Sequence, residues 1–382
     1  MVSPFSFATA PEILFGRGQA AQAPERVRAL GRRVFLVQGG TAERSDGLAA
    51  ALAGAGCAVE RFAVGHEPDV VLIEAGVAAA GGFAAEAVVA LGGGAVIDAG
   101  KAIAALVPAT RPMLDHLEVV GRGLPLDAAP LPFVALPTTA GTGAEVTRNA
   151  VIGVPEHRRK VSLRDVRMLP RVAIVDPALI DGCPRGITLA SGLDAITQVI
   201  EPYVCTRANA MTDVLCRDAI PRGLSALIRL MAGEDKAARD EMAWVSLCGG
   251  IALANAGLGA VHGLAGPLGG LTGAAHGAIC GALLPHVLLA NRHAVTEPER
   301  AARLDEVAGW IAEAFGLDRG AGMDAAASRL AAWSRDCGLV PLDVPEADVA
   351  AAAEAALTSS SMKANPAPLS AAALEAILQA AA

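Results

Sequence analysis

Short apolar runs separated by helix-length stretches dominate the first half of the chain. Residues 33–37 form one such run, ending at Gln38-Gly39-Gly40 and followed by an amphipathic stretch that closes near Gly56. Residues 58–64, 87–91, 133–136 and 172–175 repeat the pattern. Runs this short, apolar and widely spaced predict parallel strands covered on both faces, with helices crossing over between them. From about residue 184 the alternation stops and one helical stretch follows another, through to an Ala-rich tail over 349–382. Asp176-Pro177, Gly182 and Pro184 punctuate the change. The pattern predicts an α/β domain with a parallel sheet over residues 1–182 and an all-α helical bundle over residues 183–382.

Two loops stand where such a sheet would bind a ligand. VVALGGGAVIDAGKAIAAL reads as strand, glycine turn and helix. Glycines 92, 93 and 94 let the backbone approach a pyrophosphate, and the helix start offers free N–H groups at a positive dipole end. The segment is not a P-loop, because Ala102 follows Lys101 where Ser or Thr would bind magnesium, and it is not G-x-G-x-x-G. On its own it could be the turn of any β-α unit. LPTTAGTGAEVT adds Thr138, Thr139, Thr142 and backbone amides after a second strand. Both loops would emerge at the carboxyl ends of parallel strands, and together they predict a nucleotide site.

The second half carries a metal-ligand pattern. In SGLDAITQVIEPY, Asp194 and Gln198 are spaced i, i+4 on one helix face, with Glu201 at i+7. His262 and His276 are fourteen residues apart with a Gly-rich turn between them. One Asp and two His suit Fe(II) or Zn(II), with a side-chain amide as a weaker fourth donor. Either histidine alone reads equally well as a hydrogen-bonded core residue. A carboxylate in an apolar helix needs a partner, however, because burying it unpaired is costly. Residues 242–291 contain no Asp, Glu, Lys or Arg and are long enough to span a bilayer. Three histidines, two prolines and many glycines within them predict buried helices around a site instead, and no membrane partner. His66, His116, His157, His286 and His293 form no constellation.

Composition narrows the partners. A net charge of −8 and 3% aromatic residues, with one tyrosine, exclude the basic stripe and stacking platforms of a nucleic-acid binder. With 53% hydrophobic and 18% charged residues the chain can bury a large core. Seven scattered cysteines without a C-x-x-C pair fit a reducing compartment, and MVSPFSFATAPEILFG lacks a signal-peptide pattern. A cytoplasmic location is expected.

Several of these segments occur in a familiar order: ILFGRG, GGGAVIDAGKAIA, PTTAGTGAEVTRNAVI, DPAL, SGLDAITQVIEPY, HGLAGPLGG, AAHG, LLPHV and NPAPLS. Over nearly its whole length the chain resembles the iron-containing (group III) alcohol dehydrogenase family. The resemblance implies a Rossmann-like N-terminal domain, a helical C-terminal domain and a homodimer. The implied activity is hydride transfer between NAD or NADP and a small alcohol, aldehyde or ketone, assisted by a divalent metal, iron or zinc. By motif match, Gly93, Gly94 and Ala95 would lie along the pyrophosphate. Thr138, Thr139, Thr142, Asn149 and Lys160 would lie near adenine, nicotinamide or ribose.

Asp194, His262 and His276 match the family's metal ligands, and the two histidines are also the expected catalytic residues at the substrate oxygen. Gln198 stands where the family has a third histidine. A neutral amide binds less strongly than imidazole, so metal affinity should drop. Gly266 stands where the family pattern H-G-x-x-H has another histidine. Gly39 falls where NAD-preferring members often carry Asp, with Arg44 a few residues on, which leaves NAD against NADP open. Two alternatives accompany the reading: a metal-independent reductase of an oxo acid, like the maleylacetate reductases, and a non-catalytic nucleotide-binding protein of the same fold.

Overall fold

In the computed structural model, which describes residues 4–382, the strands are β1 (Glu12–Phe15), β2 (Arg33–Gly39), β3 (Ala58–Val64), β4 (Ala87–Gly92), β5 (Phe133–Pro137), β6 (Asn149–Val154), β7 (Arg159–Arg164) and β8 (Val172–Val175). Six of them form one sheet in the order β1-β8-β5-β4-β2-β3, with every neighbouring pair parallel. Strand side chains alternate between faces, and each face has its own core. Phe35, Val37, Val88, Ala90, Phe133 and Ala135 pack on one side with Ile97 and Ile103 of the helix Gly94–Leu106. Val34, Leu36, Val89, Leu91, Val134 and Leu136 pack on the other with Val27 and Leu52. The central strands are therefore covered on both faces, as their apolar runs predict, while the edge strand β3 is largely exposed. The chain divides into an α/β unit, residues 8–139 and 143–181, and a helical unit made mainly of residues 140–142 and 182–382.

Two features of the α/β unit lie outside the sequence expectations. β1 is a short edge strand beside β8, and β6 and β7 form a separate antiparallel pair. A buried lysine ties that pair to the sheet. Lys101 Nζ donates to the carbonyls of Ala144 and Asn149, at 2.8 and 2.6 Å, and to Thr147 Oγ1 at 2.9 Å. Its motif position after Gly100 thus serves to anchor the chain.

Glu145 is buried beside this lysine, and burial pushes its carboxyl from the ordinary 4.5 up to about 7. The folded protein then holds a proton that the unfolded chain releases near pH 4.5. The group's contribution is fully present below that value and is lost as pH rises through about 7. Glu145→Gln should be more stable than wild type at pH 8 by about 1–3 kcal/mol, with the difference vanishing toward pH 4.5. Paired thermal melts across that range check it, and a pH-independent difference would contradict the burial argument.

The helical unit is built from the helices Arg185–Val204, Ala210–Ala232, Lys236–Asn255, Ala260–Thr272, His276–Ala294, Pro298–Ala314, Gly322–Asp336, Glu346–Leu357 and Ala371–Ala381. The charge-free stretch supplies three of these helices, and Val261, Leu264, Ala265 and Leu268 within it are buried. Among the described residues no single helix is long and apolar enough to cross a membrane. Lys236–Asn255 and Ala260–Thr272 pass by length and composition only as a pair bent by 97°.

Candidate functional site

The carboxyl ends of three neighbouring strands bring the predicted nucleotide loops together. β2 leads outward to β3, and the chain then returns to β4 on the other side of β2. That reversal opens a crevice at the strand ends, the usual ligand position in an open parallel sheet. Gln38 pairs with Leu91, so Gly39 ends its strand beside the glycine turn that follows β4. On the other flank Pro137 pairs with Gly92, and Thr138 N donates to Gly92 O at 2.9 Å. Thr139 closes over the turn: a Cβ on Gly93 would lie 3.2 Å from Thr139 Oγ1.

Gly93 caps the helix Gly94–Leu106 without a side chain, and Gly93, Gly94 and Ala95 are only partly covered. The first-turn amides thus stand at an accessible, electropositive helix start. The other predicted contacts are more dispersed. Thr142 belongs to the helical unit, Asn149 opens β6, and Lys160 on β7 forms an ion pair with Glu67.

In the helical unit three elements converge on Asp194. Asp194, Gln198 and Glu201 lie on the buried helix Arg185–Val204. His262 lies in the first turn of Ala260–Thr272, which ends at Gly273 in the left-handed conformation, φ +66°. The chain turns there and restarts at His276, the first residue of His276–Ala294. Small residues let this helix approach Arg185–Val204: a Cβ on Gly277 would lie 2.4 Å from Ala190 O, and one on Gly281 2.5 Å from Leu193 Cδ1.

The approach sets His262 Nε2 at 3.5 Å and His276 Nε2 at 3.7 Å from Asp194 Oδ1. That oxygen is buried and has no hydrogen-bond partner. Cys280, one turn after His276, completes the cluster, its Sγ 3.6 Å from His276 Nε2 and 3.9 Å from His262 Nε2. The four donor atoms all lie within 4.8 Å of one another.

Surrounding groups fix the cluster. Glu201 Oε2 lies 2.6 Å from His262 Nδ1, and Glu201 Oε1 accepts from Val261 N at 2.8 Å. This turns His262 Nε2 toward Asp194, the orienting role a carboxylate plays behind a ligating imidazole. Gln198 is tethered at one end: its Nε2 donates to Gly141 O at 2.9 Å, which leaves Oε1 as the atom that could ligate. Burial pulls the His276 imidazole down, but the charges of Cys280 and Asp194 outweigh it and push its pKa up to about 9. His262 is likewise held well above its ordinary value, burial being outweighed by Cys280, Glu201 and Asp194. Burial would raise the Asp194 carboxyl, yet the two imidazoles keep it low. A buried anionic oxygen without a partner, facing two imidazole nitrogens, is a donor set that fits a divalent metal.

A parallel sheet with a glycine turn at its carboxyl ends suits a nucleotide, and the cluster in the helical unit suits a divalent metal, a pairing found in metal-assisted, nucleotide-dependent oxidoreductases. Comparison with known proteins makes the assignment specific. The family model for iron-containing alcohol dehydrogenase matches residues 10–177, and that for the Fe-containing alcohol dehydrogenase family, C-terminal, matches residues 188–382. Lactaldehyde reductase of Escherichia coli is 35% identical over 303 residues, 78% of each chain. NAD-dependent methanol dehydrogenase of Bacillus methanolicus is 32% identical over 372 residues, 94% of this chain and 95% of its own. The crystal structure of a 1,3-propanediol oxidoreductase superposes with a TM-score of 0.87 at 31% identity, covering 99% of this chain and 100% of the other. The chain belongs to the iron-containing alcohol dehydrogenase family, and it is an enzyme interconverting alcohols and carbonyl compounds.

Proposed function

We propose that the protein oxidises and reduces a small alcohol–aldehyde pair with NAD(P), its substrate oxygen bound beside a divalent metal held by Asp194, His262 and His276. The observation that carries the reading is the buried, unpartnered Asp194 Oδ1 with two imidazole nitrogens 3.5 and 3.7 Å away. Relatives named for lactaldehyde, methanol and 1,3-propanediol support a short, polar substrate. When bound, the metal supplies Lewis acidity at the substrate oxygen and the nicotinamide accepts or returns the hydride.

The chain's own groups do the rest. Gly93, Gly94 and Ala95 offer backbone N–H groups to the pyrophosphate. Gly39, Thr138 and Thr139 stand at the neighbouring strand ends as further cofactor contacts, and Thr142, Asn149 and Lys160 follow from the motif match. Asp194 contributes the fixed negative charge, and Glu201 orients His262. The His276 side chain is 37% exposed where that of Asp194 is 2%, so the substrate oxygen approaches on the His276 side. Oxidation also releases the hydroxyl proton. A Cβ at Gly266 would meet nothing within 4 Å, so the space beside it is open. Gln198, standing where the family has histidine, supports the loop at Gly141.

Chelation tests the reading. Alcohol oxidation measured with NAD and NADP over a short-chain diol and alcohol series should disappear after chelator treatment. It should return on adding zinc or ferrous iron. Activity that persists in metal-free protein would overturn the metal-assisted reading in favour of a metal-independent reductase.

A further inference from the structure

We propose that Cys280 supplies the fourth donor of the metal site, as a thiolate, and that this makes the site selective for zinc over ferrous iron. The inference rests on the reading that Asp194, His262 and His276 hold a metal, and it names the fourth protein ligand; the substrate oxygen would join as a fifth donor, an expansion zinc permits.

Four observations carry it. First, Cys280 is buried and follows His276 by four residues, so the two side chains share one face of the helix His276–Ala294. Second, the distances suit a single small ion. Zinc bonds nitrogen and oxygen at about 2.0–2.2 Å and sulfur at about 2.3 Å, so the edges of a tetrahedron of such donors run about 3.3–3.8 Å. The measured separations are 3.5 Å for His262 to Asp194, 3.7 Å for His276 to Asp194, 3.6 Å for Cys280 to His276 and 3.9 Å for Cys280 to His262.

Third, Asp194 Oδ1 is buried, faces the cluster and has no hydrogen-bond partner, so the cluster is not closed by its own hydrogen bonds. Fourth, the rival side chain, Gln198, is tethered at its amide nitrogen and offers only a hard, neutral oxygen. The Gln198 amide nitrogen bonds Gly141 O, which ties that side chain to the 140–142 loop.

The chemistry follows from donor softness. A thiolate is a soft, charged ligand where an amide oxygen is hard and neutral, and sulfur donors shift a nitrogen–oxygen site toward zinc. Coordination takes the proton from the thiol, so metal uptake should release it. With two anionic donors the set neutralises a divalent ion, which Asp194 and a neutral amide would not.

Cobalt(II) reports the ligand directly. Metal-free full-length protein titrated with cobalt should give visible d–d bands and a near-ultraviolet thiolate-to-cobalt charge-transfer band. Cys280→Ser should lose the charge-transfer band, keep d–d bands at higher cobalt, and bind zinc about 10²-fold more weakly. Competition of zinc against ferrous iron should favour zinc in wild type by a margin that shrinks in the variant.

The outcomes separate the two claims. Wild-type d–d bands without charge transfer would overturn the thiolate assignment and leave the metal reading standing. A charge-transfer band that survives Cys280→Ser would place the metal on another thiol and overturn it as well. No cobalt or zinc uptake at all would overturn both. Should the variant fail to fold, zinc-edge X-ray absorption of wild type decides: a sulfur neighbour at about 2.3 Å supports the assignment, and a shell of nitrogen and oxygen alone overturns it.

Discussion

Asp194→Asn should lower kcat/KM by about 10³-fold or more while leaving the protein folded. Asp194 is the hub of the cluster, since both imidazole Nε2 atoms point at its Oδ1 and nothing else in the protein bonds that oxygen. Asparagine keeps the shape of the side chain, so the helix Arg185–Val204 keeps its packing. What disappears is the buried negative charge that balances a divalent ion against two neutral imidazoles. Lewis-acid assistance at a carbonyl oxygen is worth several kcal/mol, and the rate should fall accordingly. Turnover in saturating zinc, metal content after gel filtration and circular dichroism together make the test. A folded variant with stoichiometric metal and kcat/KM within about tenfold of wild type would remove Asp194 from the site.

Four of the five legible strands of the main sheet are buried on both faces and carry almost no polar interruption, whereas β3 is a largely exposed edge strand with Glu60 and Arg61 in its middle. Residues 33–37 and 87–91 are apolar almost throughout, and the structure extends them only to Gly39 and Gly92. The elements that escaped are those with one wet face. In β6 and β7, Ala150, Ile152, Val161 and Leu163 are buried while Val151 and Arg164 are exposed, and charges at Arg159, Lys160 and Arg164 hide that alternation. β1 escaped because an edge strand of four residues is too short to show a period.

The cluster was partly legible for a similar reason. Asp194 and Glu201 share a helix face by spacing alone, and the two histidines stand out in a stretch without charges. That they meet is a tertiary fact, set by the turn at Gly273 and the contacts at Gly277 and Gly281. The count and pairing of the cysteines do not single out Cys280, although its i+4 relation to His276 is the same signal that links Asp194 to Gln198. Lys101 and Glu145 could not be found from sequence: their burial depends on a segment some forty residues downstream of the lysine.

Gly94→Asp should weaken NADH and NADPH binding by about 10²–10³-fold without loss of folded stability. Position 94 is the first residue of the helix Gly94–Leu106, so its backbone already has a helical conformation that aspartate adopts readily. A carboxylate in the first turn favours the helix dipole by about 0.3–1 kcal/mol, and leaving glycine adds to the helix as well. The same carboxylate would occupy the electropositive helix start that a pyrophosphate needs. Two negative charges about 5 Å apart repel by about 3 kcal/mol at an effective dielectric near 20, which is about 10²-fold in affinity, and occupation of the N–H groups adds to it. Fluorescence titration with each dinucleotide gives the affinities. The melting temperature without cofactor should equal or exceed that of wild type. The rise in melting temperature that saturating dinucleotide produces in wild type should shrink at the same concentration, because that rise scales with the logarithm of ligand over Kd. Gly94→Ala separates charge from bulk and should bind far more tightly than Gly94→Asp. Equal affinities for wild type and Gly94→Asp in a folded protein would move the pyrophosphate away from this helix.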